Sequence, residues 1–203
     1  DGKNLAGVFR HPGRVVVDLD ILDKLPPSLL RAGSAEVVKA GFISAADIID
    51  AYETDGLEVS LDRVVPAAID VKVKTVIADF REAGLRAILN YGHTIGHGIE
   101  VAASIPHGHA VAIGMVAAGR IAQEALGFAG SERQRRVLEG IGLPTTSPRV
   151  DVAQVRKLMD RDKKRDGAGL RMVLLEDFGH PVVRHVEEDL IRLGLAEIGL
   201  VTG

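Results

Sequence analysis

Four of the chain's seven histidines fall within 17 residues: His93, His97, His107 and His109. His93 and His97 stand four apart in the stretch Leu89-Asn90-Tyr91-Gly92-His93-Thr94-Ile95-Gly96-His97-Gly98-Ile99-Glu100. On a helix, residues i and i+4 share a face, one turn apart. Gly92, Gly96 and Gly98 leave that face little shielded by neighbouring side chains. Neutral imidazole is the commonest protein ligand for divalent metals. A pair at this spacing supports either a metal site or a hydrogen-bonded histidine pair. The second cluster, Pro106-His107-Gly108-His109, adds weight to the metal. Thr94, not Glu, follows His93, so this is not the H-E-x-x-H pattern of metalloproteases. A carboxylate from elsewhere would complete three ligands and leave a fourth position open, as in catalytic zinc sites.

The elements that must position these residues read mainly as helices. Pro26-Pro27-Ser28 opens a helix running to about Gly41, with Glu36 and Lys39 on one face in a small, apolar context. That pair reads either as a solvated ion pair or as a partly buried carboxylate in need of a partner. Ser44 to Tyr52 reads as a second helix, ended by Asp55-Gly56. Ser60 to Asp79 reads as a long one, whose start Pro66 moves to Val65 if proline must lie in the first turn. Lys72 and Lys74 lie on it, and Lys74 reads as solvated. Leu89 to Ala103 is the histidine helix, broken by Ser104-Ile105-Pro106, and an Ala-rich helix from Ala110 to Leu126 follows with His107 at its start. Helices over Ser131–Ile141, Val152–Met159 and Glu187–Ala196 enclose a hairpin of Leu170–Leu175 and Val182–Val186 around Gly179. Arg14 to Asp18 reads as a short buried strand whose partners are expected upstream, because a lone strand is not stable. The chain is expected to be the C-terminal portion of a longer protein, with residues 1–22 the tail of a preceding domain and 23–203 the helical domain.

The 203 residues carry a net charge of −3, which argues against a general nucleic-acid binder. No cysteine is present, so disulfides, thiolate metal sites and cysteine nucleophiles are excluded. No apolar run reaches the roughly 18 residues of a membrane span, and no signal-peptide pattern opens the chain.

The stretch Gly84-Leu85-Arg86-Ala87-Ile88-Leu89-Asn90 through Glu100 resembles the signature of the 3-dehydroquinate synthase family. So do His107-Gly108-His109-Ala110-Val111-Ala112-Ile113-Gly114-Met115 and Gly33-Ser34-Ala35-Glu36-Val37-Val38-Lys39. Gly2-Lys3-Asn4-Leu5 resembles the family's G-K-N-L segment. Asp162-Lys163-Lys164, with Gly167 and Val173-Leu174-Leu175, resembles its D-K-K…G…V-L-L ending. The matches run in family order from end to end of the chain.

The resemblance implies a mainly α, multi-helix C-terminal domain with a small β-hairpin, plus one strand left from a Rossmann-like NAD-binding domain. It implies a cytoplasmic lyase of the shikimate pathway, in aromatic amino acid biosynthesis. The family converts 3-deoxy-D-arabino-heptulosonate 7-phosphate into 3-dehydroquinate and phosphate. Transient oxidation by NAD, zinc-assisted elimination of phosphate and an aldol closure achieve this. Carried over, Glu36, His93 and His107 would ligate zinc, with cobalt as a substitute. Lys39, Lys72, Arg86, Asn90, His97 and Lys163 would act on the substrate, a phosphorylated keto-sugar acid. Lys3 and Asn4 would contact it, and Glu82 would lie close. A homodimer is implied, with neither nucleic acid nor membrane as a partner.

The sequence departs from the family at His109, where many members have Glu, at Phe80, also for Glu, and at Gly98 for Ala. Some related sugar-phosphate cyclases carry H-G-H where this chain has His107-Gly108-His109. An aminodehydroquinate, 2-deoxy-scyllo-inosose or epi-valiolone synthase is therefore an alternative. Others are a non-catalytic metal- or anion-binding module and a metal-dependent alcohol dehydrogenase.

Overall fold

The computed structural model describes residues 12–81, 84–161 and 170–201. Among them, α1 spans Leu19–Leu22, α2 Pro27–Ser44, α3 Ala46–Asp55, α4 Leu61–Ala78, α5 His93–Ala103 and α6 His107–Leu126. Then come α7 Ser131–Ile141, α8 Val152–Arg161, β1 Leu170–Asp177, β2 His180–Val186 and α9 Glu188–Glu197. β1 and β2 pair antiparallel, with Val173 opposite Val183. This is the mainly helical architecture with one hairpin that the sequence predicts.

The core is built around α6. Every residue from Ala110 to Gly119 is buried. A helix that is apolar all round has to be surrounded, and α2, α5, α7, α9 and β1 pack against it. Each fully buried Ile, Met or Val here stabilises by about 1.5–3 kcal/mol. Two glycines set how closely the neighbours approach. A Cβ on Gly108 would lie 1.9 Å from the Ala32 carbonyl oxygen of α2. One on Gly114 would lie 2.0 Å from the Gly92 carbonyl oxygen, at the entry to α5. Both α2 and the start of α5 therefore rest directly on the α6 backbone, and that apposition makes the site.

Residues 14–18 have no ladder partner among the described residues, and Val15 and Val16 are 72% and 79% exposed. The strand expected there would need partners outside this chain. Asp18 caps α1, its carboxylate accepting from the Asp20 N–H at 3.0 Å. α4 spans Leu61–Ala78 with Ser60 as its cap, close to the expected Ser60 to Asp79, and Pro66 does not move the start to Val65, because the Ser60 carbonyl accepts from Arg63 and Val64. Pro66 forfeits only the bond to the Asp62 carbonyl, near the helix end. The histidine helix starts at His93, not Leu89. Residues 85–90 form a 3₁₀ turn, and Gly92 adopts a left-handed φ of 77° that no helix continues through.

Candidate metal and anion site

His93 is the first residue of α5 and His107 the first of α6. Both imidazoles converge on Glu36, in the middle of α2. Glu36 Oε1 lies 3.6 Å from His93 Nε2 and 3.8 Å from His107 Nε2. The other carboxylate oxygen, Oε2, accepts from Lys39 Nζ at 2.7 Å. His97, one turn on in α5, completes a ring cluster, its centroid 5.1 Å from that of His93 and 5.7 Å from that of His107. Ring nitrogens of His93, His97 and His107 lie within 4.8 Å of one another.

The far nitrogens decide which edge of each ring faces the cluster. His93 Nδ1 lies 3.1 Å from the Tyr91 carbonyl oxygen, and His107 Nδ1 lies 2.8 Å from Glu100 Oε2. A carbonyl and a carboxylate can only accept, so both Nδ1 atoms donate, and in the neutral form of each ring Nε2 keeps the lone pair. Two lone pairs and a carboxylate oxygen thus face one point. Ligand atoms on a tetrahedral zinc stand roughly 3.3–3.5 Å apart. The spacing and chemistry of Glu36, His93 and His107 therefore fit a divalent cation, and His97 is near enough to add a nitrogen.

Charge and burial are balanced around this point. Burial alone would raise the Glu36 carboxyl, but the charge and hydrogen bond of Lys39, with His93 and His107, hold it below its usual range. Burial lowers the Lys39 ammonium; Glu36 opposes this, and the charge of Lys72 adds to it. Burial, with the Lys39 charge, lowers His93 to about 4. It is therefore neutral at pH 7, as a metal ligand must be.

A buried strut braces the entry to α5. The Tyr91 hydroxyl donates to Gln134 Oε1 at 2.6 Å, and Gln134 Nε2 donates to the Met115 carbonyl at 2.6 Å. Both side chains are fully buried. The Tyr91 carbonyl that receives His93 is thus tied to α6 and α7.

Beside the cluster opens a cavity of about 370 Å³, within the range of small-molecule sites. Glu36, Lys39, Lys72, Arg86, Asn90 and His93 line it together with aliphatic residues of α2 and α4. Asp79 Oδ2 accepts from the Gly84 and Arg86 amides at 2.7 and 2.9 Å, which ties down the backbone that carries Arg86. Arg86 Nη1 donates to the Phe80 carbonyl at 3.0 Å.

Glu36, Lys39, Lys72, Arg86, Asn90, His93, His97 and His107 are therefore brought together. Lys3, Asn4, Glu82 and Lys163 lie outside the described residues. His109 does not join the cluster. Its Nε2 is buried without a hydrogen-bond partner, and burial with the charge of Arg31 lowers its pKa. Lys74 pairs with Asp70 at 2.6 Å in solvent, as expected. Sequence reasoning missed Glu100, although it stands seven residues after His93 on the same helical face. It also missed Asp79, Tyr91 and Gln134. Gln134 carried no signal in its residue type or its spacing.

Fold and site together define a helical domain with a carboxylate–histidine cluster beside a cation-lined cavity. The chain belongs to the family of 3-dehydroquinate synthase C-terminal domains, whose model it matches over residues 33–165. It is 40% identical to the 3-dehydroquinate synthase of Corynebacterium jeikeium (strain K411), over 96% of this chain and 56% of that protein. It is 43% identical to that of Pseudarthrobacter chlorophenolicus, over 93% and 54%. The chain thus spans about half the length of these relatives. Among solved structures, 2-deoxy-scyllo-inosose synthase in complex with carbaglucose-6-phosphate, NAD+ and Co2+ superposes with a TM-score of 0.84 at 30% identity, over 98% of this chain and 59% of that one. The 2-epi-5-epi-valiolone synthase of Streptomyces hygroscopicus, with NAD+ and Zn2+ bound, shares the fold with a TM-score of 0.80 at 24% identity, over 90% and 54%. No helix among the described residues is long and apolar enough to cross a membrane.

Proposed function

We propose that this chain is the metal- and substrate-binding portion of a 3-dehydroquinate synthase, which turns 3-deoxy-D-arabino-heptulosonate 7-phosphate into 3-dehydroquinate and phosphate. The observation that carries this is Glu36 Oε1, shared by His93 Nε2 and His107 Nε2 at 3.6 and 3.8 Å, beside a cavity lined by Lys39, Lys72 and Arg86. Glu36, His93 and His107 hold zinc, or cobalt in its place. When bound, the metal supplies Lewis-acid polarisation of substrate hydroxyls.

The chain's own residues bind and orient. Lys39 holds Glu36 ionised and presents the rest of its ammonium to the cavity. Lys72 and Arg86 neutralise the substrate's phosphate and carboxylate, the arginine in a two-pronged geometry that a lysine lacks. Asn90 and His97 donate or accept at substrate hydroxyls. Lys163, Lys3, Asn4 and Glu82 belong to the same reading through the resemblance alone. NAD would supply a transient oxidation; none of the described residues forms a glycine-rich dinucleotide fingerprint. The reading carries with it a homodimeric cytoplasmic enzyme and a domain division near residue 22.

Another sugar-phosphate cyclase is the second reading, and the observation favouring it is His109 in place of the family's usual Glu. The test is phosphate release from the heptulosonate phosphate and from glucose 6-phosphate, with NAD and zinc. Assayed in a protein of the relatives' full length, turnover of the first substrate at ~1–10³ s⁻¹ is expected. Turnover of the second alone would sink the assignment. The 203-residue chain by itself is expected to release none.

A further inference from the structure

We propose that Glu100 is the positioning residue of the metal site, holding the His107 ring in its ligating orientation and strengthening it as a donor. The inference deepens the metal reading above and rests on it. Three residues of α5, His93, His97 and Glu100, fall at i, i+4 and i+7, on one face. The first two bring imidazoles to the cluster. The third reaches past them to the next helix, where Glu100 Oε2 meets His107 Nδ1 at 2.8 Å.

The two metal-facing histidines are held in different ways. The His93 side chain is only 13% exposed, so packing fixes its ring, and its Nδ1 needs no more than the neutral Tyr91 carbonyl. The His107 side chain is 38% exposed, so packing restrains it far less. Its Nδ1 receives a full carboxylate instead. A carboxylate behind an imidazole fixes the tautomer, limits ring rotation and raises the basicity of the opposite nitrogen. Glu100 thus supplies through one hydrogen bond the orientation that burial supplies to His93.

The experiment is a Co2+ titration of the wild-type chain and of the E100A, E100Q and H107A variants, read by the visible absorption of bound cobalt and by competition with a chelator. E100A is expected to weaken cobalt binding about 10–100-fold and to shift the absorption band, because a ligand is left misaligned. E100Q, which keeps a hydrogen-bonding group but not the charge, is expected to fall between wild type and E100A. The thermal midpoints of the metal-free variants are expected to stay within about 4 °C of wild type, which a merely structural role for Glu100 would not allow.

Wild-type affinity and band in E100A would overturn the proposal. If E100A does not fold, E100Q decides: wild-type affinity together with a wild-type band would overturn the role given to the charge. A wild type that takes up no cobalt, or an H107A that binds as tightly as wild type, would instead overturn the metal reading itself. That result is distinct from a site that binds metal but ignores Glu100.

Discussion

Two ion pairs, one on α2 and one on α4, are nearly identical in length and opposite in character. Glu36–Lys39 closes at 2.7 Å and Asp70–Lys74 at 2.6 Å, each within one helical turn. Lys39 is 6% exposed at its side chain, whereas Lys74 is 76% exposed. In solvent, such a pair contributes little, because water screens it and two long side chains lose freedom. In the α2–α5–α6 junction the lysine is withdrawn from water while Glu36 stays 44% exposed, so the same contact is only partly screened. There the lysine charge holds a carboxylate ionised against burial, and that carboxylate faces two imidazoles. Distance alone does not separate a functional pair from an ornamental one; the surroundings do.

The comparison can be broken most severely by prising α2 from α6. Gly108→Val puts side-chain atoms where the Ala32 carbonyl already sits, 1.9 Å from the nearest possible Cβ. A loss of about 3 kcal/mol or more is expected in chemical denaturation, together with loss of metal binding. A variant with wild-type stability would mean that the helices do not rest on each other at this point.

Removing the proposed ligands comes next. Four-ligand zinc sites bind with roughly 10–16 kcal/mol, so one ligand is worth about 3 kcal/mol, or more than 100-fold in affinity. Glu36→Ala, His93→Ala and His107→Ala are each expected to leave dialysed protein without metal, while His109→Ala keeps it. Metal-to-protein ratios measured by elemental analysis check this. Loss in His109→Ala, with retention in His107→Ala, would reverse the assignment of the second cluster.

Lys39→Ala sharpens the contrast directly. It leaves Glu36 partly buried without its hydrogen-bonded cation, and about 1–3 kcal/mol of stability is expected to go with it. Added zinc is expected to restore part of that loss, since a cation would replace the ammonium. Thermal melts with and without zinc are the measurement. Equal melts for Lys39→Ala and wild type would place this pair with the solvated ones.

Lys74→Ala is the smallest effect. Stability is expected to move by no more than about 0.5 kcal/mol and metal content not at all. A larger change in either would erase the difference between the two pairs.

The sequence by itself determined the periodic elements and the residue types of the site. Helices with apolar stripes, a proline start at α2 and the hairpin around Gly179 follow from local stereochemistry, which each segment carries within itself. So does the shared face of His93 and His97 on α5. The resemblance added the set of residues that meet, including Lys72 rather than Lys74. Where a boundary depended on one backbone conformation, periodicity misled: Gly92 in its left-handed conformation moved the start of α5 to His93. Residues 14–18 had the composition of a strand, but a strand is a property of two chains in a ladder, and none pairs with it among the described residues. His107 and His109 looked like one cluster because they are neighbours in sequence. Residues two apart on a helix point to different sides, so only one of them reaches Glu36.

The meeting of α2 with the first residues of α5 and α6 was decided by tertiary structure alone. It depends on glycine backbones pressed against carbonyls some 20 to 80 residues away, and no local pattern reports what will stand opposite a missing side chain. The same holds for burial. Glu36–Lys39 and Asp70–Lys74 are equally good ion pairs on paper, and only the packing around them makes one half of a candidate metal site and leaves the other in water.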